Sequence, residues 1–155
     1  MAVARAVSRA HVEQELTAIE PWVDRHGWSI LWDDDRLLLV VLMRSAVDRE
    51  RYLFEFTLDD YRELPPSIEL VHPETGEAGM RRSYPAGGRS YFHSKPVICA
   101  HWNRKAYQAH GGPHADWVMA DWAGFRPNHS RVGDMLVLLQ ELIDDRTSYT
   151  GRMER

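Results

Sequence analysis

The chain has 155 residues, of which 44% are hydrophobic and 27% charged, with a formal net charge of −4. That length suits one domain with its own core, and the acidic balance argues against a nucleic-acid protein, which usually carries a basic excess or stripe. The only cysteine, Cys99, cannot form an internal disulfide, which points to a reducing, cytoplasmic setting.

No apolar run approaches the ~18 residues of a membrane span, so no membrane partner is expected. The longest, Leu37 to Met43, is strand length. The opening residues turn charged too early for a secretory signal.

Residues 9–20 read as an amphipathic helix, with Val12, Leu16 and Ile19 on one face, Val23 extending it and Ser8 as N-cap. Pro21 predicts a kink or a fresh turn, and Gly27 a stop. The period then changes. Trp28 to Asp33 reads as a strand, and Asp33-Asp34-Asp35 as a charged turn. Arg36 to Met43 reads as an apolar strand buried on both faces or covered by a helix. Tyr52 to Leu58 alternates as a third strand, Leu64-Pro65-Pro66 breaks it, and Ser67 to Val71 forms a fourth. With no helix between these strands, an antiparallel meander is the simplest arrangement.

Residues 72–95 are rich in turn chemistry and read as one long irregular segment, which Lys95-Pro96-Val97-Ile98-Cys99 closes. Residues 100–129 hold Trp102, Trp117 and Trp122 with His101, His110, His114 and His129, and Gly111-Gly112-Pro113 forbids a continuous helix there. Ser130 is placed to cap a helix from Arg131 to about Asp145, with Val132, Met135, Leu136, Leu139, Leu142 and Ile143 on its apolar face. The tail from Arg146 is polar and reads as frayed. The fold class is α+β, in a single domain over 1–155.

This order resembles the ubiquitin-conjugating (UBC) fold: an N-terminal helix, a four-stranded meander, a Pro-Pro elbow, a flap carrying a cysteine, and a Trp-and-Pro segment leading into a helix. The pieces that carry the resemblance are Pro65-Pro66 with Ser67-Ile68-Glu69-Leu70, the approach Pro96-Val97-Ile98-Cys99, and Trp122-Ala123-Gly124-Phe125-Arg126-Pro127 before Val132-Gly133-Asp134-Met135-Leu136. The usual His-Pro-Asn triplet before the cysteine is replaced by Tyr91-Phe92-His93-Ser94-Lys95-Pro96, which has the histidine and lacks the asparagine. In this the chain looks like divergent bacterial members found in ubiquitin-like conjugation operons, several of them antiviral.

The resemblance implies that Cys99 accepts a ubiquitin-like protein as a thioester from a ThiF-like activating enzyme and passes it to an amine on a target protein. No small cofactor is needed for that transfer, since ATP is used by the activating partner. A thiolate is the attacking species, so His93, Lys95, His101 and Arg104 are expected to supply nearby positive charge. His93 or Asn103 would steady the oxyanion, and Asp116 or Asp121 would position the incoming amine. In the resembled family the N-terminal helix docks the activating enzyme, which singles out Arg5, Arg9 and Glu13.

Three other readings stay open. Cys99 could be a buried, inert thiol, the common fate of a cysteine in a run such as Val97 to Ala100. The chain could be a non-catalytic binding module of the same fold. Cys99, His101, His110 and His114 offer ligand types suited to zinc, although the spacing matches no standard closed site. Arg81-Arg82 beside Tyr84 is the nearest approach to a nucleic-acid surface, and the tryptophans lack the interleaved basic run that such a surface uses.

Overall fold

The computed structural model of the chain describes residues 3–127 and 130–154, and it is a mixed α+β fold. Helix α1 spans Arg5–Ala18, a full turn earlier than the sequence suggests. Ser8 is therefore not a cap but a buried residue inside the helix, on the same face as Val12. The backbone amide of Val3 donates to Asp60 Oδ1 at 2.7 Å, which anchors the chain ahead of the first turn. Pro21 sits in the first turn of a second helix, α2 (Glu20–His26), where its missing amide costs nothing. Gly27, at φ 68°, ends α2 in the left-handed region that suits glycine.

Four strands follow: β1 (Ser29–Asp33), β2 (Leu38–Arg44), β3 (Arg51–Thr57) and β4 (Ser67–Val71). They form one antiparallel sheet in the order β1-β2-β3-β4, as the close spacing of the apolar runs predicts. Register pairs Ile30 with Val41, Val41 with Phe54, and Phe54 with Leu70. Period-two alternation puts Leu39, Val41, Met43, Tyr52, Phe54, Phe56, Ile68 and Leu70 on the buried face. The apolar run 37–43 is not buried on both faces: Leu38, Val40 and Leu42 on the other face are half-buried. Arg36 and Leu37 belong to the β1–β2 turn instead of the strand.

Helix α4 (Val132–Asp144) contributes Met135, Leu136, Leu139, Leu142 and Ile143 to the same core cluster as the sheet face. Full burial of one such side chain stabilises by about 1.5–3 kcal/mol. Its N-cap is Arg131, not Ser130, and Asp134 accepts from the Arg131 amide at 3.1 Å. A residue far away in sequence does the remaining capping. Glu15 of α1 is buried, and its Oε1 accepts from the Val132 amide at 2.8 Å and from the Tyr61 hydroxyl at 2.7 Å. An anionic acceptor at a helix N-terminus satisfies an orphan N–H and complements the helix dipole. The Tyr61 phenol, buried and beside this carboxylate, is held well above its ordinary pKa.

The tail from Arg146 is not frayed. Tyr149 and Met153 are buried, and the backbone closes on the 84–88 loop through Ala86 N to Gly151 O (2.7 Å) and Met153 N to Tyr84 O (2.8 Å). The Tyr149 and Tyr52 hydroxyls lie 2.6 Å apart, and Tyr149 also donates to Asp48. A segment with only two large apolar anchors gives no periodic signal, so its docking is invisible to a pattern reading.

Candidate functional site: the Cys99 segment

Between β4 and α4 the chain has little regular structure. It holds a two-residue hairpin of β5 (Phe92–His93) and β6 (Val97–Ile98), short 3₁₀ turns, and a short helix, α3 (Met119–Phe125). Cys99 follows β6 directly, is half-buried, and its amide donates to Tyr91 O at 2.6 Å. Tyr91 in turn stacks on Trp102, with ring centroids 6.4 Å apart.

Asn103 holds this segment together. It is fully buried; its Oδ1 accepts from the amides of Ile68 (2.9 Å) and Lys105 (3.2 Å), and its Nδ2 donates to Ile98 O at 2.9 Å. The loop after the cysteine thus folds back, and one carboxamide N–H goes to the backbone carbonyl one residue before Cys99. Asn103 is a brace between the hairpin and the sheet. Arg104 makes a second clamp. Its backbone N donates to Pro66 O (2.9 Å), its Nε to Pro65 O (3.1 Å), and its guanidinium pairs with Asp59 at 3.0 Å. Both carbonyls of the Pro-Pro elbow are therefore satisfied by one residue of the cysteine segment.

Among the described residues, no cation offsets the burial of Cys99. Burial pushes the Cys99 thiol above its ordinary pKa, and desolvation is the cause. Arg104 is committed to Asp59. Lys95 is exposed, and its backbone amide donates to His93 Nδ1 at 3.0 Å.

His101 and Asp116 belong to a neighbouring surface. Trp117 is sandwiched between two imidazoles, His101 at 3.8 Å and His114 at 3.7 Å between ring centroids, the latter within 7° of parallel. His101 Nδ1 and His114 Nε2 are buried atoms with no hydrogen-bond partner among the described residues. Desolvation lowers the His114 pKa; Asp116 opposes this, while His93 and His101 add to it. An open groove of about 700 Å³ is lined by His101, Asp116, Trp117, Asp121 and Phe125, and Cys99 is not among its lining residues. Asp121 is engaged as the cap of α3, accepting from the Val118 amide at 3.1 Å. Sequence reading missed Trp117 as the plate between the two histidines; its spacing of three from His114 was the available signal.

Arg5, Arg9 and Glu13 lie together on α1, and each reaches the β1–β2 hairpin instead of standing free. Arg5 donates to Asp35 O, Arg9 to Asp34 O at 3.4 Å, and Glu13 accepts from Trp32 Nε1 at 3.2 Å. The side chains considered for zinc do not converge. Among the described residues the only group of three or more candidate ligands within 4.8 Å of one another is Asp33, Asp34 and Asp35. His129 lies outside the described residues.

The site thus holds a neutral, half-buried thiol on a braced loop, beside an aromatic and imidazole plate. No family model matches the chain, and no curated protein matches it.

Proposed function

We propose that the chain is a ubiquitin-conjugating-like carrier that accepts a ubiquitin-like protein on Cys99 and hands it to an amine. The observation that carries this reading is positional. A helix, a four-stranded meander and a Pro-Pro elbow precede a largely irregular segment whose single thiol is accessible at the end of a short hairpin. Arg104 ties that segment back to the elbow. A raised thiol pKa is compatible with the chemistry, because exchange with an incoming thioester is nearly balanced and needs only a small thiolate fraction. The reaction keeps its atoms in balance: the Cys99 sulfur forms the new thioester as the activating enzyme's thiol leaves, and an amine later displaces the Cys99 thiol. The partners are a ThiF-like activating enzyme, a ubiquitin-like protein and a target protein, in a cytoplasmic setting. Among the described residues, no helix is long and apolar enough to cross a membrane.

The test is incubation with a cognate ThiF-like enzyme, Mg-ATP and the ubiquitin-like protein. The expected result is an adduct cleaved by thiol reductant, absent in Cys99→Ala and converted to a reductant-resistant ester in Cys99→Ser. An adduct that survives in Cys99→Ala overturns the reading. A second reading, a binding module of the same architecture, is favoured by one observation: Asn103 is fully buried and engaged in bracing the backbone of Ile98, Ile68 and Lys105. It predicts equal affinity of wild type and Cys99→Ala for the ubiquitin-like protein, with no adduct from either.

A further inference from the structure

At the opposite end of the sheet from the β1–β2 turn, the end of α2, the start of β1, the end of β2, the start of β3 and the end of α4 surround a pocket of about 490 Å³. Arg25, His26, Arg44, Arg49 and Arg51 line it, with Asp144 as the one lining carboxylate. This concentration of cations stands out on a chain whose net charge is −4.

Structural roles do not absorb these charges. Arg44 and Arg51 are direct cross-strand partners, and like charges placed opposite each other destabilise a sheet. Arg51 has one acidic neighbour, Glu74 at 4.0 Å, but the Glu74 side chain is 75% exposed and so heavily screened. Arg25 lies over the Trp22 ring at 4.7 Å, a contact that leaves its charge in place. No ion pair engages Arg25, Arg44 or Arg49 among the described residues. Asp144 already accepts from Ala46 N (2.8 Å) and Gln140 Nε2 (3.0 Å). The carbonyl ends of α2 and α4 each contribute at most roughly half a negative charge. Four guanidinium groups against one carboxylate and two helix ends leave an excess of about two positive charges.

The backbone on one side of the pocket is held in place. The turn that carries Arg49 is pinned to α4 by Ser45 Oγ donating to Ile143 O at 2.6 Å, and it closes on itself through Arg49 N to Ser45 O at 3.0 Å. Beside it, Trp22, His26 and Trp28 form a stacked ladder, with centroids 6.1 and 4.9 Å apart. Guanidinium groups suit phosphate oxygens, which they bind through charge-assisted, often bidentate bonds.

We propose that this pocket binds an oligophosphate, either free or as the diphosphate of a nucleotide. Arg44 and Arg51 grip the phosphates between them, which relieves their mutual repulsion. Arg49 and Arg25 close the sides, and His26 is the one aromatic ring that lines the pocket.

Titration calorimetry with inorganic pyrophosphate, at fixed ionic strength set with sodium chloride, tests the proposal. Saturable binding is expected, weakened about tenfold by Arg44→Gln or Arg51→Gln, because each removes a charge-assisted pair. Arg44→Lys, which keeps the charge and loses the fork, should fall between. Arg146→Gln, which changes net charge equally outside the pocket, should leave affinity unchanged, as should Cys99→Ala. ADP binding no better than pyrophosphate assigns the site to free oligophosphate; ADP binding more tightly, with the gain lost in His26→Ala, assigns it to a nucleotide. Four results overturn the proposal: no saturable binding, sulfate binding as well as pyrophosphate, equal weakening by Arg146→Gln, or a twelve-residue oligothymidylate that outcompetes pyrophosphate. The last would move the surface to single-stranded nucleic acid.

Discussion

The helix-and-sheet half of the molecule and the Cys99 segment are held by different physics. The first is built from periodic apolar burial: every second residue of β2, β3 and β4 enters one core with the apolar stripe of α4. The second has few strands or helices, and individual polar side chains fasten it. Asn103 ties the hairpin to β4, and Arg104 ties the following loop to the Pro-Pro elbow. Hydrophobic burial is spread over many residues and fails globally. A brace is concentrated in a few bonds and fails locally.

The largest expected effect breaks the first half. Phe54→Ala removes a fully buried ring from the middle of the sheet and should cost about 3–5 kcal/mol, read as a lower urea midpoint. Native-state alkylation of Cys99 by iodoacetamide should change little, because the loss is global and the bracing bonds stay intact. A labelling rate that rises while the fold persists would show that the two halves are not separable.

Asn103→Ala should have a smaller effect on global stability and a larger one on the site. It strands the amides of Ile68 and Lys105 and the carbonyl of Ile98. Buried groups left unpaired cost about 1–3 kcal/mol each, and partial hydration of the loop should hold the net loss to roughly 2–3 kcal/mol. Cys99 alkylation without denaturant should accelerate several-fold. Asn103→Asp keeps the acceptor and loses the donor, so it should fall between. Unchanged labelling in both variants would remove the brace from the argument.

These two variants also mark what the sequence made legible. Strands and helices advertise themselves through repetition, so Val41, Phe54, Leu139 and the meander were readable in order. The helix start was misplaced because Ser8 is a good cap by type, yet it lies on the buried face beside Val12. The α4 cap was missed because Glu15 reaches it across 117 residues. The closing strap was missed because Tyr149 and Met153 are isolated anchors in a polar stretch. Cys99 stands out by being the only cysteine, while its surroundings depend on non-local bonds that no spacing encodes. Arg104 was read as a charge for the thiol, and its actual partner, Asp59, is 45 residues away.

The thiol itself gives a subtler test. Because burial raises the Cys99 pKa, alkylation at neutral pH should be slower than that of a free cysteine in an unstructured peptide. The pH–rate profile should rise only above the ordinary thiol range. The sign for stability follows. The unfolded chain loses its thiol proton first, so this contribution is intact below the ordinary thiol pKa and is lost as pH climbs through the raised folded value. A profile shifted to lower pH would mean that a cation reaches Cys99 after all, and would restore His93 or Lys95 to the roles the sequence suggested.

The smallest expected effect lies in the imidazole–tryptophan stack. His114 is held below its ordinary pKa by desolvation, so folding disfavours its protonated form. The unfolded chain therefore binds that proton more readily, and the contribution to stability is present above the ordinary histidine pKa and lost as pH falls below it. A cation pressed against the Trp117 ring should quench its emission, so fluorescence should drop on acidification, with a midpoint below that of a free histidine. His114→Gln should abolish this component, and His101→Gln should shift its midpoint upward, because His101 adds to the lowering. Asp116→Asn should shift it downward, since that carboxylate favours the charged imidazole. Opposite shifts from His101 and Asp116 would establish that this plate is one electrostatic unit beside the cysteine loop. A transition insensitive to all three variants would detach the stack from the site.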